Sequence, residues 1–227
     1  WVMANPNFPD VINETFFQQQ VTKARNSAAK KIDILVKHLN VWNNTHNSWM
    51  DMSAWKLCGS DTPLDISDFE GRPCYVFLDL ASKLDITSMY ALFYDGDDER
   101  GKRTYATFGI NFLPHEVVQK RIVGRRSAYN GWADKGHFLL TPGVTTDYDY
   151  IEEQLREWSN RFQIMKVGFD EWNSYQLDQK VKKMGLKTVQ IPWRAKYVSE
   201  PAKQLRALVY TVRIRHFNDP VLSWGNR

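Results

Sequence analysis

Apolar residues recur along the chain with two different rhythms, and the change from one to the other divides it. Near the front, Phe17, Val21 and Ala24 step at helical spacing and predict a short helix, and Ile32, Leu35, Val36 and Leu39 predict a second. A stretch rich in Trp and Met follows, with Trp42, Trp49, Met50, Met52 and Trp55. Such a stretch could serve as a base-stacking platform, but at this density packing in a core or between domains is the expected use, and no chemistry is assigned to it. Past residue 68 the pattern turns to short apolar runs cut by turn residues. Residues 74 to 80 predict one strand and residues 87 to 94 another, and the polar run Asp95-Gly-Asp-Asp-Glu-Arg-Gly-Lys102 turns the chain into a third over 104 to 112. This is an antiparallel meander.

A Pro-punctuated basic segment leads to Tyr148, Ile151, Leu155, Trp158 and Phe162, an amphipathic helix with Asp147 or Asp149 placed to cap its start. It feeds a strand that ends at Asp170. Leu177, Val181 and Met184 mark the next helix, with Gly185 as its stop, then residues 187 to 191 form a strand and residues 201 to 212 a further helix. Three meandering strands followed by alternating helices and strands is the order of the ribonuclease H-like α/β fold: a mixed sheet flanked by helices, here behind an N-terminal helical linker segment. In that fold the first and fourth strands are neighbours.

That topology gives two acids a meaning. Asp79 ends the apolar run Cys74-Tyr-Val-Phe-Leu-Asp-Leu-Ala81, and Asp170 ends Met165-Lys-Val-Gly-Phe-Asp-Glu-Trp-Asn173. A buried carboxylate without a partner is heavily penalised, so acids where buried strands meet solvent fit a cation site. Either acid alone could as well cap a helix or pair with a surface Arg. As neighbours at one end of a sheet they point to metal binding.

Composition narrows the picture only modestly. A net charge of +4 is compatible with a polyanionic partner without requiring one. The two cysteines, Cys58 and Cys74, belong to no metal-binding or disulfide pattern, which fits a reducing cytoplasm. No apolar run approaches the roughly 18 residues of a membrane span, and no signal peptide is evident. The chain begins with Trp1 and reads as a fragment, cut or processed at its front.

The segments Trp1-Val-Met-Ala-Asn-Pro-Asn7, Lys37-His-Leu-Asn-Val-Trp42, Gly71-Arg-Pro-Cys-Tyr-Val-Phe-Leu-Asp-Leu80, Thr141-Pro-Gly-Val-Thr-Thr-Asp-Tyr-Asp149, Gly168-Phe-Asp-Glu-Trp-Asn173 and Asp219-Pro-Val-Leu-Ser-Trp224 resemble the terminase large subunit of tailed bacteriophages and prophages, in its HK97-like branch. The likeness runs nearly the whole length. It implies the C-terminal nuclease part of a packaging motor: residues 1–65 as helical linker and tail of the ATPase region, and 66–227 as the ribonuclease H-like nuclease domain with its C-terminal part missing. No Gly-x-x-x-x-Gly-Lys-Ser/Thr loop occurs, so the ATPase motor lies outside this chain.

The resemblance places the first-strand catalytic acid on Asp79 and the fourth-strand acid on Asp170, both as Mg²⁺ or Mn²⁺ ligands, and puts a third acid beyond Arg227. In a two-ion phosphodiester hydrolysis Asp79 would bridge the ions and Asp170 would hold one. Asp219 reads as a turn residue before Pro220, Asp85 as a turn-forming residue, and Glu171 as exposed. Cationic candidates for phosphate contact are Lys83, the run Lys120, Arg121, Arg125 and Arg126, and a scattered group of Arg194, Lys196, Arg213 and Arg215. The implied partners are double-stranded DNA, the portal protein, the small terminase subunit and, in the full-length protein, further copies in a homo-oligomeric ring, at the procapsid portal in the host cytoplasm and with no membrane. The competing readings are a noncatalytic module that docks to DNA or the portal, and another ribonuclease H-like enzyme such as a resolvase or integrase core.

Overall fold

The structure, a computed structural model, describes residues 4–5, 8–9, 13–25, 28–40, 49–59, 64–81, 85–121, 128–170 and 175–226, without the side chains of 25, 28–29, 31–32, 119–121 and 128. It divides into two compact units, Trp1–Asp51 with Asn226–Arg227, and Met52–Gly225. Trp42 lies outside the described residues.

In the first unit, α1 (Glu14–Arg25) and α2 (Ala28–Lys37) match the two expected helices. The Asn13 side chain accepts from the Phe16 N–H at 3.0 Å, answering one of the free donors of the first turn. Phe17 is buried, with its ring 5.7 Å from Phe8 and 5.8 Å from His38. Leu39 falls in the turn after α2.

The second unit runs α3 (Met52–Cys58), β1 (Pro73–Asp79), β2 (Thr87–Asp97), β3 (Arg103–Pro114), α4 (His115–Arg121), α5 (Ala128–Asp134), β4 (Leu139–Thr141), α6 (Tyr148–Arg161), β5 (Gln163–Asp170), α7 (Tyr175–Lys183), β6 (Thr188–Ile191), α8 (Ala195–Tyr210), β7 (Ile214–His216) and α9 (Pro220–Gly225). The sheet has the order β4-β3-β2-β1-β5-β6, with β7 also paired to β3. The expected meander is present as antiparallel β1, β2 and β3, and β5 lies parallel beside β1.

Alternation along the strands builds the core. Cys74, Val76 and Leu78 point to one face, together with Met89, Ala91 and Phe93 of β2 and Val167 and Phe169 of β5. Ile151, Leu155 and Trp158 of α6 and Leu177 and Val181 of α7 complete the same cluster. Helix α6 begins where expected, because Asp147 accepts from the Asp149 N–H at 3.0 Å. Gly185 takes φ 79° after α7, a backbone conformation that a side chain would strain.

β2 runs on to Asp97, three residues into the expected turn, and the largest boundary difference is in α8. The helix expected to open at Pro201 begins six residues earlier, at Ala195, and carries Pro201 inside it. Proline removes the hydrogen bond to the carbonyl of residue 197. The residues ahead of it show no apolar period, so their helical state could not be read from the sequence.

On the opposite face, Leu113 packs with Val117 and Val118 of α4, Phe138 and Val221 of α9. At the β7 edge, His216 stacks on Trp55 at 4.2 Å, and its Nε2 lies 3.0 Å from the Trp55 carbonyl while Nδ1 accepts from the Asn218 N–H. Those partners select the neutral ring with the proton on Nε2, and burial lowers its pKa.

Candidate active site

The alternation that buries Cys74, Val76 and Leu78 turns Tyr75, Phe77 and Asp79 to the other face of β1. Parallel pairing with β5 sets Phe77 beside Gly168 and Leu78 beside Phe169. The next residue of each strand is Asp79 and Asp170, so the two acids stand on adjacent strands, about 4.8 Å apart as backbones, where both strands end. Ser88 of β2 flanks Asp79 and Ile191 of β6 flanks Asp170.

A cleft of about 440 Å³ opens there, lined by Phe77, Asp79, Ser88, Gly168, Asp170 and Trp193, among others. Gly168 keeps its floor low: a Cβ would meet the Phe77 ring at 3.0 Å and Ile191 Cδ1 at 3.2 Å. Beyond Asp79, the Ala81 N–H donates to Thr87 Oγ1 at 3.0 Å, and this bond ties the chain leaving β1 to the start of β2.

Burial, and secondly the nearby charge of Asp85, push the Asp79 carboxyl above its ordinary pKa, although the residue as a whole remains exposed along its outer side. Asp85 behaves as a turn residue, with Oδ1 accepting from the Ile86 N–H at 2.8 Å. Tyr148, at the start of α6, is pushed up by burial and then by the charge of Asp170.

A polar chain on the same face was not anticipated. Ser88 Oγ and Tyr90 Oη both donate to Asn111 Oδ1, at 2.9 and 3.3 Å, and Asn111 Nδ2 donates to Asp219 Oδ2 at 3.1 Å. Asp219 Oδ1 accepts from the N–H groups of Val221 and Leu222, so this buried acid caps α9, with Pro220 at the first helical position. Both its oxygens are therefore engaged by protein, in keeping with a turn residue. The Tyr90 ring lies across Gly109, where a Cβ would sit 2.2 Å from it. Asn111 carried no motif; its only signal was a polar residue inside an apolar strand.

The candidate cations separate. Lys83, Arg125 and Arg126 lie outside the described residues, as does Glu171, and the side chains of Lys120 and Arg121 are not described. Arg215 pairs with Asp95 at 2.7 Å, and Arg213 donates to Thr211 Oγ1 and the Arg103 carbonyl. Arg194 and Lys196 are exposed, in the segment that follows Trp193 of the cleft.

The donors present at the strand ends fit a magnesium-like ion. Two carboxylates are hard oxygen ligands of the number that Mg²⁺ commonly takes from protein while keeping waters, and the burial and, secondly, the Asp85 charge that disfavour an ionised Asp79 are a cost that a cation would relieve. Among the described residues, no group of three or more His, Cys, Asp or Glu side chains gathers to hold a metal.

The sheet order and the site at the joined strand ends define a ribonuclease H-like fold. The crystal structure of the HK97 bacteriophage large terminase has the same fold, with a TM-score of 0.65 at 24% identity over 98% of this chain and 45% of that one. Residues 1–226 match the family described as "Terminase large subunit, endonuclease domain", and the chain belongs to that family. Curated relatives include Protein YmfN of Escherichia coli (strain K12), 29% identical over 97% of this chain and 49% of its own length. The terminase large subunit of Enterobacteria phage HK97 is 26% identical over 98% of this chain and 43% of its own. The chain thus spans about half the length of these relatives.

Proposed function

We propose that this endonuclease domain cuts concatemeric double-stranded DNA during phage genome packaging, by metal-dependent phosphodiester hydrolysis centred on Asp79 and Asp170. The observation that carries the reading is the parallel register of β1 and β5, which brings the two acids together at the mouth of a cleft. Asp79 and Asp170 would hold Mg²⁺ or Mn²⁺. A divalent cation bound there supplies charge neutralisation for the oxygens at phosphorus and a more acidic attacking water. The chain itself contributes the carboxylates, held by sheet hydrogen bonds, and the Ser88 hydroxyl, oriented by Asn111. In the two-ion form of this proposal Asp79 would serve both ions and Asp170 one of them, with a third acid completing the site.

Residues 1–65 would then link to an ATPase region, and the portal protein, the small terminase subunit and a homo-oligomeric ring at the procapsid portal would be the working assembly in the host cytoplasm. Among the described residues no helix is long and apolar enough to cross a membrane. A second reading, a noncatalytic docking module, draws on Tyr75 and Tyr94, exposed on the same face of the sheet around a second cleft of about 580 Å³.

Supercoiled plasmid incubated with Mn²⁺ or Mg²⁺ distinguishes them. The parent nicks it, and Asp79→Ala and Asp170→Ala each lower the rate by more than about a hundredfold, the upper end of what loss of a supporting partner costs a metal site. A parent that never nicks DNA, or variants that cut as well as it does, would leave the docking module standing.

A further inference from the structure

Trp193 is one of the most exposed large apolar side chains among the described residues, at 74%, and it lines the cleft that holds Asp79 and Asp170. Its position follows from the sheet: Ile191 ends β6 in register with Asp170, and Trp193 lies two residues further on. Arg194 follows it directly and Lys196 two residues later, both exposed, and among the described residues neither takes part in an ion pair. Lys196 Nζ lies 5.8 Å over the ring of Tyr197, itself 47% exposed. The segment therefore carries exposed aromatic side chains at both ends and two cations between them, and starts from a residue of the acidic cleft. Aromatic rings offer a stacking face to any base, and exposed cations beside them hold a phosphate backbone.

We propose that the segment from Trp193 to Tyr197 is a nucleotide-binding subsite of the DNA channel, in which the Trp193 indole stacks on a base left unpaired next to the scissile phosphate while Arg194 and Lys196 hold the adjoining phosphates. This rests on the reading of Asp79 and Asp170 as the cutting centre. It predicts a preference for DNA whose base stack is interrupted at the cut, because an intact duplex offers no free base face.

Fluorescence anisotropy tests it, with labelled 30-mer duplexes, intact or carrying a one-nucleotide gap flanked by 2-aminopurine, in EDTA so that nothing is cut. The parent binds the gapped duplex about tenfold tighter than the intact one, the effect of roughly one stacked base, and quenches the 2-aminopurine. In Trp193→Ala the tenfold gap closes and the quenching disappears, Trp193→Phe keeps part of both, and R194A/K196A weakens binding to both duplexes alike with a shallower salt dependence. Equal preference and equal quenching in the parent and Trp193→Ala would overturn the subsite. So would sedimentation showing a parent dimer that Trp193→Ala dissolves, since the indole would then be covered by a second copy. If the parent binds neither DNA, the subsite fails together with the nuclease reading; plasmid nicking that survives while the gap preference is absent sinks the subsite alone.

Discussion

Phe93 and Phe77 stand on adjacent strands and face opposite sides of one sheet. Phe93 is fully buried, with its ring 4.8 Å from Phe69 and 5.1 Å from Phe162, whereas Phe77 is 41% exposed at the edge of the cleft. The same contrast runs along β1 and the first half of β2, while on β3 the outer face is covered in part by the cluster around Leu113. The inner face is almost wholly apolar and closed by α6 and α7, while the outer face carries Asp79, Ser88, Tyr90, Asn111 and Asp170. Packing on the outer side is confined to the cluster around Leu113, which leaves the outer face of β1 free to hold groups that stability alone would not select.

The largest stability effect should separate the two faces directly. Phe93→Ala is expected to cost about 3 to 5 kcal/mol by urea unfolding, because it opens a cavity among rings that cannot collapse, and Phe77→Ala less than half of that, since its side chain already meets water. Equal costs would show that the outer face is packed as firmly as the inner one.

A middle-sized effect is expected where the outer face is buried. Asn111→Ala removes the amide that serves Asp219 and the acceptor of Ser88 and Tyr90, and should cost about 1 to 3 kcal/mol by the same measurement. An Asn111→Ala protein as stable as the parent would mean that water replaces the whole chain of bonds.

The smallest effect has the opposite sign. Burial and Asp85 raise the folded-state pKa of Asp79 above its ordinary 3.8. Its contribution to stability is therefore fully present below 3.8 and is lost as pH rises through the raised value. In metal-free buffer Asp79→Asn should melt above the parent at pH 7, and the difference should shrink as pH falls toward 3.8. A melting temperature lowered at pH 7 would contradict the sign.

Much of this was legible from residue patterns. Short apolar runs cut by turn residues marked β1, β2 and β3, the three-and-four spacing from Tyr148 to Trp158 marked α6, and their order implied that β1 and β5 adjoin, which paired Asp79 with Asp170. The short elements were not legible. β7 is three residues long, and α9 is six, too few to show a period. Pro201 was read as a helix start because local propensity outweighs everything else in a single sequence, while the structure carries the helix through it.

The sequence by itself determined the apolar runs that become strands, a capping acid at position 147 or 149, and the two acids at strand ends, because these depend on neighbours a few residues apart; the structure chose Asp147. Only the tertiary structure decided that Asn111 meets Asp219 across 108 positions, that Arg215 is occupied by Asp95 while Arg194 and Lys196 are not, and that Trp193 stands in the cleft. Those relations join segments with no shared local signal, and pairing of the strands is what brings them within reach.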